Sequence, residues 1–96
     1  MRVLALEIEN TDVSADDFKP LLVDEAKKVW EFYQEDVIRE IYFRADRTMA
    51  VLVLECHDLE EAKQKISELP LVVAGLIDFE FIPLIPYSGF ARLFTK

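Results

Sequence analysis

Seven polar residues fall within otherwise apolar, alternating stretches of the chain: Glu7, Glu40, Tyr42, Arg44, Glu55, Asp78 and Glu80. A carboxylate held among apolar neighbours resists ionisation, and a second carboxylate beside it raises its pKa further, which is how a proton-transfer base is tuned. Read this way, Glu80 or Glu7 is the base, Tyr42 or Arg44 is the electrophilic partner, and Arg44 with Glu40 and Glu55 forms a subsite for a small organic acid. A guanidinium suits that last role because its fork of donors matches a carboxylate. The plainer reading of the same residues is a set of salt bridges across a subunit seam or at its wet rim.

Cys56-His57-Asp58 carries nucleophile, base and carboxylate in one run. Adjacent strand residues point to opposite faces, so the run is a poor triad, and Asp58 is better placed as a helix cap, with Cys56 in the core and His57 exposed at a strand end. Trp30, Phe32 and Tyr33 offer aromatic faces to a ligand, but at helical spacing such residues usually form core. With only two glycines there is no Gly-rich phosphate loop, and one cysteine with one histidine gives neither a disulfide nor a structural metal centre. The expectation is a site without metal or cofactor.

The elements that must position these residues are legible from periodicity. Arg2 to Glu9 alternates as a strand; Ser14 to Asp17 supplies N-caps, and Phe18, Leu22, Ala26, Val29 and Tyr33, joined by Trp30, mark the buried face of a first helix containing Pro20 in its first turn. Val37 to Arg44 and Met49 to Glu55 form a hairpin around Ala45-Asp46-Arg47. Asp58 and Glu61 have capping-box spacing before a second helix with Ala62, Ile66 and Leu69 buried; Pro70 stops it, and Ile77 to Leu84 is the last strand. The order strand, helix, strand, strand, helix, strand predicts a single ferredoxin-like α+β domain over 1–96: a four-stranded antiparallel sheet with two helices on one face. Placing Leu4, Leu6, Phe79 and Phe81 beneath the helices puts Val3, Ala5, Val51, Val53 and Ile82 on the other face, with the seven polar residues. That face is too apolar for water and predicts association with a second copy.

Ninety-six residues, 52% of them hydrophobic, support one core and no more. A net charge of −8 opposes phosphate backbones and anionic lipid, so neither nucleic acid nor membrane is an expected partner. No apolar run approaches the ~20 residues of a membrane span, and no export signal follows the N-terminus, which points to the cytoplasm.

In the second half, His57-Asp58, Ser67-Glu68-Leu69-Pro70-Leu71 and Ile77-Asp78-Phe79-Glu80-Phe81-Ile82-Pro83-Leu84 resemble the muconolactone isomerase-like group of the dimeric α+β barrel superfamily. The resemblance implies paired sheet faces, a homodimer or larger ring, and a cofactor-free proton shift within a small lactone or carbonyl compound. The competing expectation is a non-catalytic oligomeric module that binds a small ligand or serves structure alone. The tail, 85–96, holds Tyr87, Phe90, Leu93 and Phe94, too much apolar surface for a free end, and is expected to dock on a neighbouring subunit.

Overall fold

The Ser14 backbone N–H donates to the Asp17 carboxylate at 2.9 Å, so the chain turns into a helix where its capping residues stand. A computed structural model describes residues 1–95. Pro20 has no N–H to continue an α-helical ladder, and the first helix is accordingly split into α1 (Ala15–Phe18), a 3-10 turn (Lys19–Leu21) and α2 (Leu22–Gln34). The hairpin is β2 (Ile38–Phe43) and β3 (Ala50–Glu55); β1 is Arg2–Glu9 and β4 is Ile77–Leu84. In the second half, the Asp58 carboxylate accepts the Glu61 N–H at 2.8 Å and caps α3 (Leu59–Ile66). That helix ends before Pro70, which instead opens a further turn, α4 (Pro70–Val73), at a position where a missing N–H leaves nothing unpaired.

The sheet order is β2-β3-β1-β4 with every neighbouring pair antiparallel, the ferredoxin-like arrangement expected from the element order. Its two halves, β1-α2-β2 and β3-α3-α4-β4, end their helices alike. After α2, Asp36 N–H donates to the Tyr33 carbonyl and Val37 N–H to the Phe32 carbonyl; after α4, Gly75 N–H donates to the Val72 carbonyl and Leu76 N–H to the Leu71 carbonyl. Both are Schellman ends, and both need a left-handed residue: Asp36 at φ 63° and Gly75 at φ 76°.

The expected facing of β1 is reversed. Val3 and Ala5 lie buried beneath the helices with Leu52, Leu54, Ile77 and Phe79, whereas Leu4 and Leu6 are half-buried on the opposite face. Leu4 pairs Val53 and Ile82, and Leu6 pairs Val51, so a row of aliphatic side chains does cross the open face, with β1 contributing its leucines. Alternation has no sign of its own in a strand that is apolar on both sides, and the smaller Val3 and Ala5 fit under the close-packed helix layer. Phe81 is on the helix side as expected, half-buried.

On the first helix Phe32 is the buried residue, at 2% exposure, while Trp30 and Tyr33 stack on one another at 5.8 Å in the open. The helical stripe set out from Phe18 is broken by the 3-10 turn, which rotates α2 so that Phe32, not Tyr33, meets the sheet. The second helix buries Ala62, Ile66 and Leu69 as expected.

Candidate functional site

A pocket of about 360 Å³ lies between α2 and the sheet. Its walls are apolar, among them Phe18, Leu22, Phe43 and Phe79, and two carboxylates enter them: Glu7 from β1 and Glu25 from α2, with Thr48 the other polar lining residue. Glu7 reaches the pocket because the reversed facing of β1 sends it in line with Val3 and Ala5. Glu25 lies three residues after Leu22 and one before Ala26, on the edge of the helix's apolar stripe.

Each carboxylate is anchored by one backbone donor. Glu7 Oε1 accepts the Ala50 N–H at 3.0 Å, where β3 begins and the β1 to β3 ladder has ended. Glu25 Oε1 accepts the Leu71 N–H at 3.0 Å in the first turn of α4. Burial pushes the Glu7 carboxyl above its ordinary range; the Ala50 N–H opposes that and the Glu9 charge adds to it. Burial likewise raises Glu25, against the Leu71 N–H and with help from the Glu7 charge. The outcome is a pair of partly desolvated acids at one apolar pocket, each reluctant to ionise, the second more so once the first has.

The other expected site residues do not gather. Glu80 is on β4 and Glu40 and Tyr42 are on β2, the two outer strands, so about 14 Å of sheet separates them. Both acids are exposed on the single chain, not hidden from water. The Tyr42 hydroxyl donates to Glu40 Oε1 at 2.6 Å, which holds the phenol above its usual pKa. Glu55 is at the far end of β3, where the N-terminal ammonium at 2.9 Å and Arg2 at 3.1 Å hold its carboxyl below the usual range. Arg44 makes two bonds to Asp46, at 2.9 and 2.7 Å, within its own hairpin turn. Its compensating carboxylate is therefore two residues away in an exposed turn. Of the six, Glu7 alone joins the pocket beneath α2, on the helix side and not the open face.

Glu25 lies outside the apolar stripe that periodicity marks on the first helix, and its signal in the sequence is an acid three residues after Leu22. Cys56 is buried and its thiol is pushed up by burial, Asp58 caps α3, and the His57 N–H donates to Glu61 at 3.1 Å, so that run is a helix start. Among the described residues no group of three or more His, Cys, Asp or Glu side chains is arranged to hold a metal ion, and no helix is long and apolar enough to cross a membrane.

No family model matches the chain, and no curated protein matches its sequence. Among solved structures it is similar to muconolactone isomerase, with a TM-score of 0.75 over 92% of both chains at 18% identity. At that identity the likeness establishes the ferredoxin-like fold of that group.

Proposed function

We propose that the pocket beneath α2 binds a small lactone or carbonyl compound and that Glu7 and Glu25 move a proton within it. The observation that carries this reading is the pair of desolvated carboxylates in one apolar pocket, each tied to a backbone N–H. In this reading one acid of the pair ionises while the other keeps its proton. The ionised carboxylate, assigned to Glu7, takes a proton from the carbon beside the carbonyl, leaving an enolate; the protonated Glu25 donates a hydrogen bond to the developing oxyanion; Glu7 returns its proton to a different carbon of the conjugated system. Proton and electron pair are conserved, so the net reaction is an isomerisation without an external reactant. The similar fold of muconolactone isomerase is consistent with this reading. The polar lining, two carboxylates and a hydroxyl with no cation, favours a neutral ligand over an organic acid. That lack of a cation or strong donor also favours the second reading, a non-catalytic binding module.

The test is an unsaturated five-membered lactone in deuterium oxide, followed by NMR for deuterium uptake and double-bond migration. The wild type should exchange faster than buffer, with a rate above buffer that rises with pH as Glu7 ionises and falls again as Glu25 loses its proton, and Glu7→Gln should fall to the buffer rate while ligand shifts in pocket residues persist. Exchange equal in both proteins overturns the catalytic reading. Ligand shifts with no exchange in either select the binding module. We also assign the open row of Leu4, Leu6, Val51, Val53 and Ile82 to a second copy of the chain, since aliphatic side chains of one face can interdigitate with an identical face. Sedimentation at micromolar concentration should give a dimer or larger; a folded 11.2 kDa monomer removes that assignment.

A further inference from the structure

Beyond β4 the chain does not return to its own body. Ile85, Tyr87, Phe90, Leu93 and Phe94 are 66–85% exposed, and the contact that orders them is internal, Tyr87 edge-on to Phe90 at 4.9 Å around a 3-10 turn, Gly89–Leu93. Gly89 leaves room for the Tyr87 ring to lie over the turn, where a Cβ would meet it. The molecule is 61 Å long and has a radius of gyration of 15.9 Å, against about 12.5 Å for a compact chain of this length. Residues 85–95 thus form an apolar arm held away from the domain.

A groove of about 490 Å³ runs along the outer side of α2 against the edge strand β2, its lining including Val29, Trp30, Tyr33, Arg39, Glu40 and Tyr42. Its aromatic residues are among the most exposed large side chains of the domain: Trp30 at 57%, Tyr42 at 55% and Tyr33 at 47%. Arm and groove are complementary in chemistry. Both are aromatic, and 85–96 carries Arg92 and Lys96 with no acid, whereas the whole chain carries −8. Glu40, one wall of the groove, offers a carboxylate to such a cation, and the neighbouring Arg39 has its own acid in Asp36 at 3.9 Å.

They are also badly placed to meet within one chain. The arm leaves Leu84, whose β1 partner Arg2 pairs Glu55, at one end of the sheet and on its β4 edge. The groove lies on the β2 edge, where Tyr42 pairs Val51 toward the other end of β3. We propose that the C-terminal arm of one copy docks in the α2–β2 groove of another, with Tyr87, Phe90 and Leu93 covering Trp30, Tyr33 and Tyr42, and Arg92 meeting Glu40. Because arm and groove are different surfaces, the contact is heterologous and joins copies into a ring or an exchanged pair. Glu40 and Tyr42, whose β3 partners Val53 and Val51 belong to the open row, stand at the rim of that face, and Val29 and Ile41 are shared with the wall of the pocket holding Glu7 and Glu25.

Trp30 is the chain's one tryptophan and reports on the groove directly. The full chain and a chain ending at Ile85 are compared by tryptophan emission, iodide quenching and sedimentation over a range of concentration. Deletion of the arm removes no core residue, so the shortened domain should keep its far-ultraviolet circular dichroism. The full chain should show blue-shifted, quencher-resistant emission that reverts on dilution as the assembly dissociates. The shortened chain should show exposed emission throughout, and a synthetic peptide of residues 85–96 added in trans should restore the blue shift. Phe90→Ser with Leu93→Ser in the full chain should act as the deletion does. Identical Trp30 emission in full and shortened chains at every concentration overturns the proposal, as does an assembly that shrinks on deletion while Trp30 stays exposed, since the arm then docks elsewhere. A full chain that remains monomeric overturns it too, leaving the arm to a different partner.

Discussion

The two halves of the molecule repeat one architecture and pack it to different tightness. In the second half α3 and α4 bury Ala62, Ile66, Leu69 and Leu71 against the sheet and leave no acid inside. In the first half α2 buries Phe32 alone, stands over a pocket, and brings Glu25 to face Glu7 there. A close-packed half holds the sheet together and a loosely packed half accommodates something else. Burying carboxylates is unfavourable without a compensating role, so the loosely packed half is where chemistry belongs.

Identical truncations on the two sides should break or confirm that contrast most sharply. Leu69 is 1% exposed and Leu22 is 48% exposed at the pocket wall. Leu69→Ala should destabilise the domain by about 2–5 kcal/mol in urea titration, and Leu22→Ala by roughly 1 kcal/mol or less. Equal losses would mean that α2 is as tightly packed as α3.

The matching helix ends give the next effect. Gly75 has no atom within 4 Å of a built Cβ, so Gly75→Ala is penalised by its left-handed backbone alone and should lower stability by about 1 kcal/mol. Asp36→Gly should raise stability by roughly 0.5–1 kcal/mol, relieving the same strain in the other half. Midpoints that move in the same direction would break the equivalence of the two ends.

A pH series sharpens the contrast further. Folding raises the carboxyl pKa of Glu7 and Glu25, so the folded state binds protons more tightly than the unfolded one, and stability falls as pH rises from the unfolded value near 4.5 through the raised folded values. Glu7→Gln with Glu25→Gln should flatten that fall in urea midpoints measured across the window, with the variant gaining on the wild type at higher pH. The exposed pairs Glu55 with Arg2 and Asp46 with Arg44 act in the opposite sense, their lowered pKa values contributing stability above the unfolded range that is lost on acidification. The smallest effect is expected at Arg44. Arg44→Met removes one exposed turn pair and should leave both the urea midpoint and ligand binding unchanged.

Much of the fold was legible because its signals are local. The Ser14 and Asp58 caps, the alternation of four strands, the Ala62, Ile66 and Leu69 stripe and the Pro70 stop each depend on residues a few positions apart, and each lies where its chemistry placed it. The element order then determined the ferredoxin-like class. The sequence by itself also determined that an apolar arm would follow the last strand, because Tyr87, Phe90, Leu93 and Phe94 stand after its end. Which face of β1 turns to the helices was decided only in the tertiary structure. Val3-Leu4-Ala5-Leu6 is apolar on both sides, so alternation defines two faces without saying which is inner; that is settled by the helices, whose close layer takes the small residues and leaves the leucines outside. The same choice carried Glu7 from the open face into the pocket, and the 3-10 turn at Pro20 rotated α2 to bring Glu25 to meet it and to leave Trp30 and Tyr33 exposed. The two carboxylates are 18 positions apart in sequence and share no local pattern, so their meeting is a product of packing alone.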